Sequence, residues 1–218
     1  LVMGNLGENF YLNADHEHPL MLWINDFDNN RSTEKIMTRK VNGKDMPVAM
    51  KRDLTNQINI LKKQNLKHTS YANKSIKELF TEEQIAASTV KQINYLKSAV
   101  AVNKGEGLFS VEALPVDVQL SCVNDMLSLD MNEDGYDDIL LGGNNYTFLP
   151  QFSQLDACRG KVLINDHNGS YTPLDESQTG LNISGMLREL KYFEIDSKKY
   201  LLALVNDESP QLYQLNSK

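Results

Sequence analysis

One unit recurs along this chain and limits what it can fold into: an apolar strand, a polar turn, and a second apolar strand. It reads "MLWINDFDNNRSTEKIMTRKV" from residue 21, "MLSLDMNEDGYDDILLGGN" from 126 and "LKYFEIDSKKYLLALVN" from 190. Behind the first two stands a hairpin pattern, "AVNKGEGLFSVEALP" (101–115) and "LINDHNGSYTPLDE" (163–176). Each hairpin is an apolar run, a Gly-containing turn, an aromatic residue and a second short strand. Four short strands recurring at roughly 40–60 residues are the sequence sign of propeller blades. The expected fold is therefore mainly β, a partial β-propeller of about three four-stranded antiparallel blades.

Residues 46–97 interrupt that texture. They contain no glycine, and Leu54, Ile58 and Leu61, then Ile76, Leu79 and Phe80, fall at helical spacing. Thr81 with Gln84 three residues later forms a capping-box signal. Helices are expected over about 50–63, 72–80 and 82–97, as an insertion between the second and third strands of one blade and outside its sheet. Such an insertion brings Val48 and Val100 close together. The blade strands of 1–45 and 98–218 flank it.

The polar turns of the first two units carry an unusual density of oxygen donors. Asp130, Asn132 and Asp134 alternate, Gly135 follows, then Tyr136, and Asp138 opens the next strand. A hard cation such as Ca²⁺ takes six to eight oxygens, and a tight loop supplies them from alternate residues. On that reading Asp130, Asn132, Asp134, the Tyr136 carbonyl and Asp138 are ligands at positions one, three, five, seven and nine. Asp26, Asp28, Asn30, the Ser32 carbonyl and Glu34 repeat the spacing. Arg31 stands where the second loop has glycine, so the second loop is expected to bind more tightly. Asp, Asn and Gly are also ordinary turn residues, and the matched spacing of two loops is what favours calcium over a plain solvated turn. Strands rather than helices flank both loops, and neither has a glutamate at position twelve, unlike an EF-hand.

Composition excludes some partners. Asp and Glu outnumber Lys and Arg by 29 to 22, a net charge of −7, which disfavours nucleic acid and anionic membranes. No apolar run is long enough to span a bilayer as a helix. The chain opens inside a strand pattern without an initiator Met, and reads as a mature or trimmed piece of a longer protein. Cys122 and Cys158 are too few for a disulfide framework; they read as small buried residues, with one disulfide as the alternative. His16, His18, His68 and His167 show no third metal ligand or nucleophile, and Asp156 reads as a carboxylate ordering its loop.

The loop "DMNEDGYDDILLGGN" resembles an FG-GAP or VCBS-type repeat, the calcium-loop blade of integrin alpha-chain propellers. "GNLGEN", "HPLMLWINDFDNN" and "LDACRGKVLIND" are similar to the C-terminal part of large bacterial VCBS-repeat proteins related to cartilage acidic protein. The resemblance covers most of the chain outside 46–97. It departs at Arg31 and in the third unit, where Asp196, Ser197 and Lys198 cannot rebuild a cage. It implies a propeller with calcium in its blade loops, secreted, periplasmic or anchored at the outer membrane. The expected function is non-catalytic binding or scaffolding of a protein or glycan ligand. The alternative is the propeller portion of an extracellular glycan-active hydrolase, whose paired carboxylates leave no mark in sequence.

Overall fold

The computed structural model describes residues 1–149 and 151–216. In chain order it begins β1 (Val2–Met3), β2 (Leu20–Asn25), β3 (Glu34–Val41) and β4 (Lys44–Pro47). Five short helices follow: α1 (Lys51–Gln57), α2 (Ile60–Gln64), α3 (His68–Ala72), α4 (Ile76–Leu79) and α5 (Glu82–Ala87). Then come β5 (Thr89–Ile93), β6 (Ala99–Gly105), β7 (Leu108–Ala113), β8 (Val123–Leu129), β9 (Asp138–Gly143), β10 (Lys161–Asn165) and β11 (Tyr171–Pro173). The chain closes with α6 (Glu176–Thr179), β12 (Leu187–Ile195), β13 (Lys198–Val205) and β14 (Gln211–Leu215). The fold is mainly β. Its strands make four antiparallel sheets, β4-β3-β2-β5, β1-β6-β7, β11-β10-β9-β8 and β12-β13-β14. They divide between two compact units, residues 12–95 and residues 1–11 with those from 96 on.

In the unit of residues 12–95, the helices build the core with one sheet. Trp23, Phe27 and Ile36 from the sheet and its first turn are buried with Leu54, Ile58, Leu61, Ile76, Leu79 and Phe80. Burying a side chain of this size stabilises by roughly 1.5–3 kcal/mol each, so the helices hold the sheet rather than decorate it. Trp23 Nε1–H donates to Thr38 Oγ1 at 3.0 Å, which satisfies both polar groups inside that core.

Three sequence expectations are corrected here. The helix expected to run to 97 stops at Ala87; Thr89–Ile93 instead pairs with β2, from Thr89↔Ile24 to Leu20↔Ile93. Val90 and Ile93 have helical spacing, but β-branched residues beside an open sheet edge favour the strand. The segment before it breaks at Ile58 into α1 and α2 while keeping Leu54, Ile58 and Leu61 all buried. The helices do interrupt one four-stranded sheet, but between β4 and β5, its two edge strands, and not between strands that carry Val48 and Val100. Val48 N–H bonds Met37 O at 2.9 Å beside β3, whereas Val100 pairs with Val2 and Glu112 in a different sheet. The first repeat and its presumed hairpin therefore belong to separate sheets. The second repeat and its hairpin do share one, as the meander β8-β9-β10-β11.

In the other unit three sheets stack face to face. Ile139, Leu141 and Leu163 join Val100, Leu114 and Val118 in one cluster. Leu140 and Val162 point the other way, to Leu187, Leu190, Leu201 and Ala203. The β8–β11 sheet thus lies between the other two, which is why "DILLGG" is buried at every position. Its glycines allow the close approach: a Cβ on Gly142 would sit 2.5 Å from Leu187 Cδ2, and one on Gly143 only 1.6 Å from the Cys122 carbonyl oxygen. Asn144 then pins the long connection to β10. Its Oδ1 accepts from Ser121 Oγ (2.8 Å) and Cys158 N–H (2.9 Å), and its Nδ2 donates to the Cys158 and Gly185 carbonyls. Cys122 and Cys158 are buried free thiols beside this residue, and burial pushes both thiols up from their ordinary value.

Candidate metal centre

Two loops share one hydrogen-bonded frame. In the β2–β3 loop, the Asp26 carboxylate accepts the backbone N–H groups of Asn30 (3.0 Å) and Arg31 (2.8 Å). In the β8–β9 loop, Asp130 accepts those of Asp134 (3.1 Å) and Gly135 (2.8 Å). At position five, Asn30 accepts Ser32 N–H and Asp134 accepts Tyr136 N–H. At position nine, Glu34 accepts Phe27 N–H (2.9 Å) and Asp138 accepts Met131 N–H (3.0 Å). Positions four and six are left-handed in both: Asn29 and Arg31 at φ 58° and 67°, Glu133 and Gly135 at 63° and 89°. Alternate residues turn their side-chain oxygens inward because the backbone reverses hand at these two points.

Neighbouring elements fix each frame. Phe27 is fully buried against Phe80, with ring centroids 4.3 Å apart, and its carbonyl accepts Gln84 Nε2–H at 2.6 Å. Gln84 is the third helical residue of α5, and its Oε1 accepts Thr81 N–H at 2.8 Å to complete the expected capping box. The helical segment therefore holds the first loop. In the second loop Asp138, fully buried, also accepts Asn165 N–H at 2.9 Å, which ties it to the β10–β11 hairpin.

The two sets of carboxylates differ in what remains available. Asp26, Asp28 and Glu34 place carboxylate oxygens within 4.8 Å of one another, the one such acidic group among the described residues. Asp28 Oδ1 is buried and has no hydrogen-bond partner. Together with the two neighbouring carboxylates, this oxygen could hold a metal ion. In the second loop the oxygens are engaged. Asp130, like Asp26 in the first loop, accepts N–H groups on both carboxylate oxygens, and here Asp138 does so as well. Asp134 Oδ2 meets Asn132 Nδ2 and His167 Nε2, each at 2.8 Å. The His167 contact, followed by the Tyr136 N–H, holds the Asp134 carboxyl below its usual range. His167 also stacks on Tyr136, centroids 4.0 Å apart. The sequence favoured the second loop for its glycine; the geometry gathers acidic oxygens more closely in the first.

A cavity of about 460 Å³ opens beside the first loop, lined by Asn30, Ser32, Thr33, Glu34, Lys35 and Gln57. The other histidines stand apart from both loops. His16 contacts Asn94, His18 contacts Asp15 in an exposed turn, and His68 begins α3. Asp156 is exposed. Gln84 and His167 escaped sequence reading as loop partners, because each touches its loop from 57 and 33 residues away. No helix among the described residues is long and apolar enough to cross a membrane. Comparison with protein-family models, with curated proteins and with solved structures returned no match.

Proposed function

We propose that this chain is a calcium-binding module of the FG-GAP/VCBS type, a partial β-propeller that binds or scaffolds a protein or glycan ligand at the cell surface or outside the cell. One observation carries the reading: the two loops repeat the same frame at positions one, five, six, seven and nine, in different units of the chain. A solvated turn has no need to reproduce a carboxylate at position nine folded back onto the N–H at position two. Asp26, Asp28 and Glu34, with Asn30 and the Ser32 carbonyl, would hold one ion. Asp130, Asn132, Asp134, Asp138 and the Tyr136 carbonyl would hold the other, with His167 releasing Asp134. The stacking of three antiparallel sheets through apolar faces supports the blade reading. The ion would supply structural cross-linking of each loop rather than a reactive centre.

Isothermal titration of calcium into the wild type, Asp28→Ala and Asp134→Ala tests this. Extracellular sites of this kind bind at about 10⁻⁴–10⁻³ M. Two such sites are expected in the wild type, and one in each variant. Absence of saturable heat in the wild type would overturn the reading.

A further inference from the structure

The loop that follows β9 carries aromatic rings and no charge. No charged residue stands between Asp138 and Asp156, in a chain of net charge −7. Past β9 the backbone closes on itself: Asn145 N–H donates to Leu155 O at 2.8 Å, and Leu155 N–H to Asn145 O at 3.0 Å. Asn144 and Leu155 are both buried, so the neck of the loop is anchored in the fold. Inside it, Asn145 Oδ1 accepts Thr147 N–H (2.8 Å) and Thr147 Oγ1–H (2.7 Å), and Phe152 N–H donates to Leu149 O at 2.8 Å. A loop closed and braced in this way is a compact unit rather than a floppy tether. Two of its rings dock on residues that precede β2. Phe148 lies against Phe10 with centroids 4.6 Å apart, and Phe152 is parallel to Tyr11 at 4.4 Å. Phe10 is buried, while Tyr11, Phe148 and Phe152 are half-buried and Tyr146, on the same loop, is 39% exposed. None of these rings belongs to the two apolar clusters that hold the sheets together. Aromatic surface kept in solvent on a braced loop serves binding rather than packing.

We infer that this aromatic platform binds the ring of a neutral saccharide. The inference rests on the reading of the chain as a binding module and names its ligand class; it uses none of the calcium-loop residues. Charge selects first. An ionic ligand finds no counter-charge on this loop, and the acidic balance of the whole chain repels an anionic one. Chemistry selects next. The face of an aromatic ring is negative, and the C–H groups on one face of a sugar ring are weakly positive, so the two lie flat on each other. Asn145, Thr147, Ser153 and Gln154 alternate with the rings and offer amide and hydroxyl groups, which match the hydroxyls around a sugar's edge without adding charge. Size selects last. A whole aromatic side chain covers about 150–250 Å², so three half-buried rings and Tyr146 leave on the order of 300 Å². That is well short of the ~800 Å² per partner of a standard protein interface, and it suits a ligand the size of a sugar ring.

The test is saturation-transfer NMR on the full chain with cellotetraose, maltotetraose, xylotetraose and mannotetraose, and with tetragalacturonate as the acidic control, each up to about 10 mM. At least one neutral probe is expected to receive saturation on its ring C–H protons, and the acidic one none. Phe152→Ala should weaken that binding about tenfold or more, the loss of one stacking contact, whereas Phe152→Tyr keeps the ring and should hold it within about threefold. Tyr146→Ala keeps the test independent of folding, because its side chain already reaches solvent; it should weaken binding with the melting temperature unchanged. Chelator should leave saccharide binding as it is. A failed calcium titration therefore strikes the calcium loops alone, and absent saccharide binding beside an intact calcium titration strikes this inference alone. No saturation of any neutral probe, equal binding of tetragalacturonate, or binding indifferent to both alanine variants would overturn it. So would a concentration-dependent dimer abolished by Phe152→Ala, which would give the platform to a second copy of the chain.

Discussion

Asp28→Asn should make the protein more stable without calcium and remove most of its response to calcium. Asp26, Asp28 and Glu34 bring three carboxylate oxygens within 4.8 Å. At an effective dielectric of about 20, like charges at that distance repel by ~3.5 kcal/mol per pair. Asp28 takes part in two of the three pairs. Asp26 and Asp28 are half-exposed, and solvent screening reduces the relief to on the order of 1–2 kcal/mol in all. The amide keeps the shape of the side chain and gives its buried end a donor toward the neighbouring carboxylates. At about 2–4 °C per kcal/mol for a chain of this size, the variant should melt some 2–8 °C higher in chelator. Calcium reverses the order. With a dissociation constant of about 10⁻⁴–10⁻³ M, 10 mM calcium adds roughly 1.4–2.7 kcal/mol at the first loop of the wild type, by mass action. The variant gains only what the second loop provides. Melting curves by calorimetry, in chelator and in 10 mM calcium, give all four values. A variant that melts below the wild type in chelator, with an unchanged calcium increment, would refute the reasoning.

Arg31→Gly should stabilise the first loop, since a non-glycine residue at φ 67° costs about 1 kcal/mol, and should also tighten calcium binding by removing a positive charge; the melting temperature in chelator reads the first and titration calorimetry the second. Gly143→Ala should destabilise severely, by more than about 3 kcal/mol in denaturant unfolding, because its Cβ would lie 1.6 Å from the Cys122 carbonyl oxygen and only backbone movement can make room. Ser75 N–H, then Lys44, hold the Glu78 carboxyl down at about 2, below its ordinary 4.5. That stabilisation is fully present above pH 4.5 and is lost as pH falls toward 2, so Glu78→Gln should flatten the pH dependence of melting across that window and leave it unchanged above it.

Local features of the chain were readable from sequence where local chemistry decides them. Thr81 and Gln84 form their capping box because both partners lie within one helical turn. The β6–β7 and β10–β11 hairpins follow from their Gly-containing turns, and β12–β13 from its apolar runs. The acidic positions of both loops were visible for the same reason, since position nine reaches back only seven residues to position two. What failed was decided at a distance. "TVKQI" reads as helix by spacing, and only the open edge of β2 makes it a strand. The repeat that begins at Met21 looks continuous with the hairpin at 101. In fact β2 and β3 are completed by β4 and β5, while β6 pairs with β1 from the start of the chain. The long-range partners of the loop carboxylates were hidden too. His167 and Asn165 reach the carboxylates of the second loop from other strands and turns, while Asp28 Oδ1 in the first has no hydrogen-bond partner.

The central claim is that two loops of one design hold calcium, and amide chemical shifts during a calcium titration of the isotopically labelled chain test it most directly. The N–H groups of Asn30, Arg31 and Ser32, and of Asp134, Gly135 and Tyr136, all bond to candidate ligand side chains. Saturable shifts should concentrate on these six amides and on those of Phe27 and Met131, which bond to the position-nine carboxylates. Shifts that never saturate, or that scatter over the acidic surface with these eight amides unmoved, would contradict it.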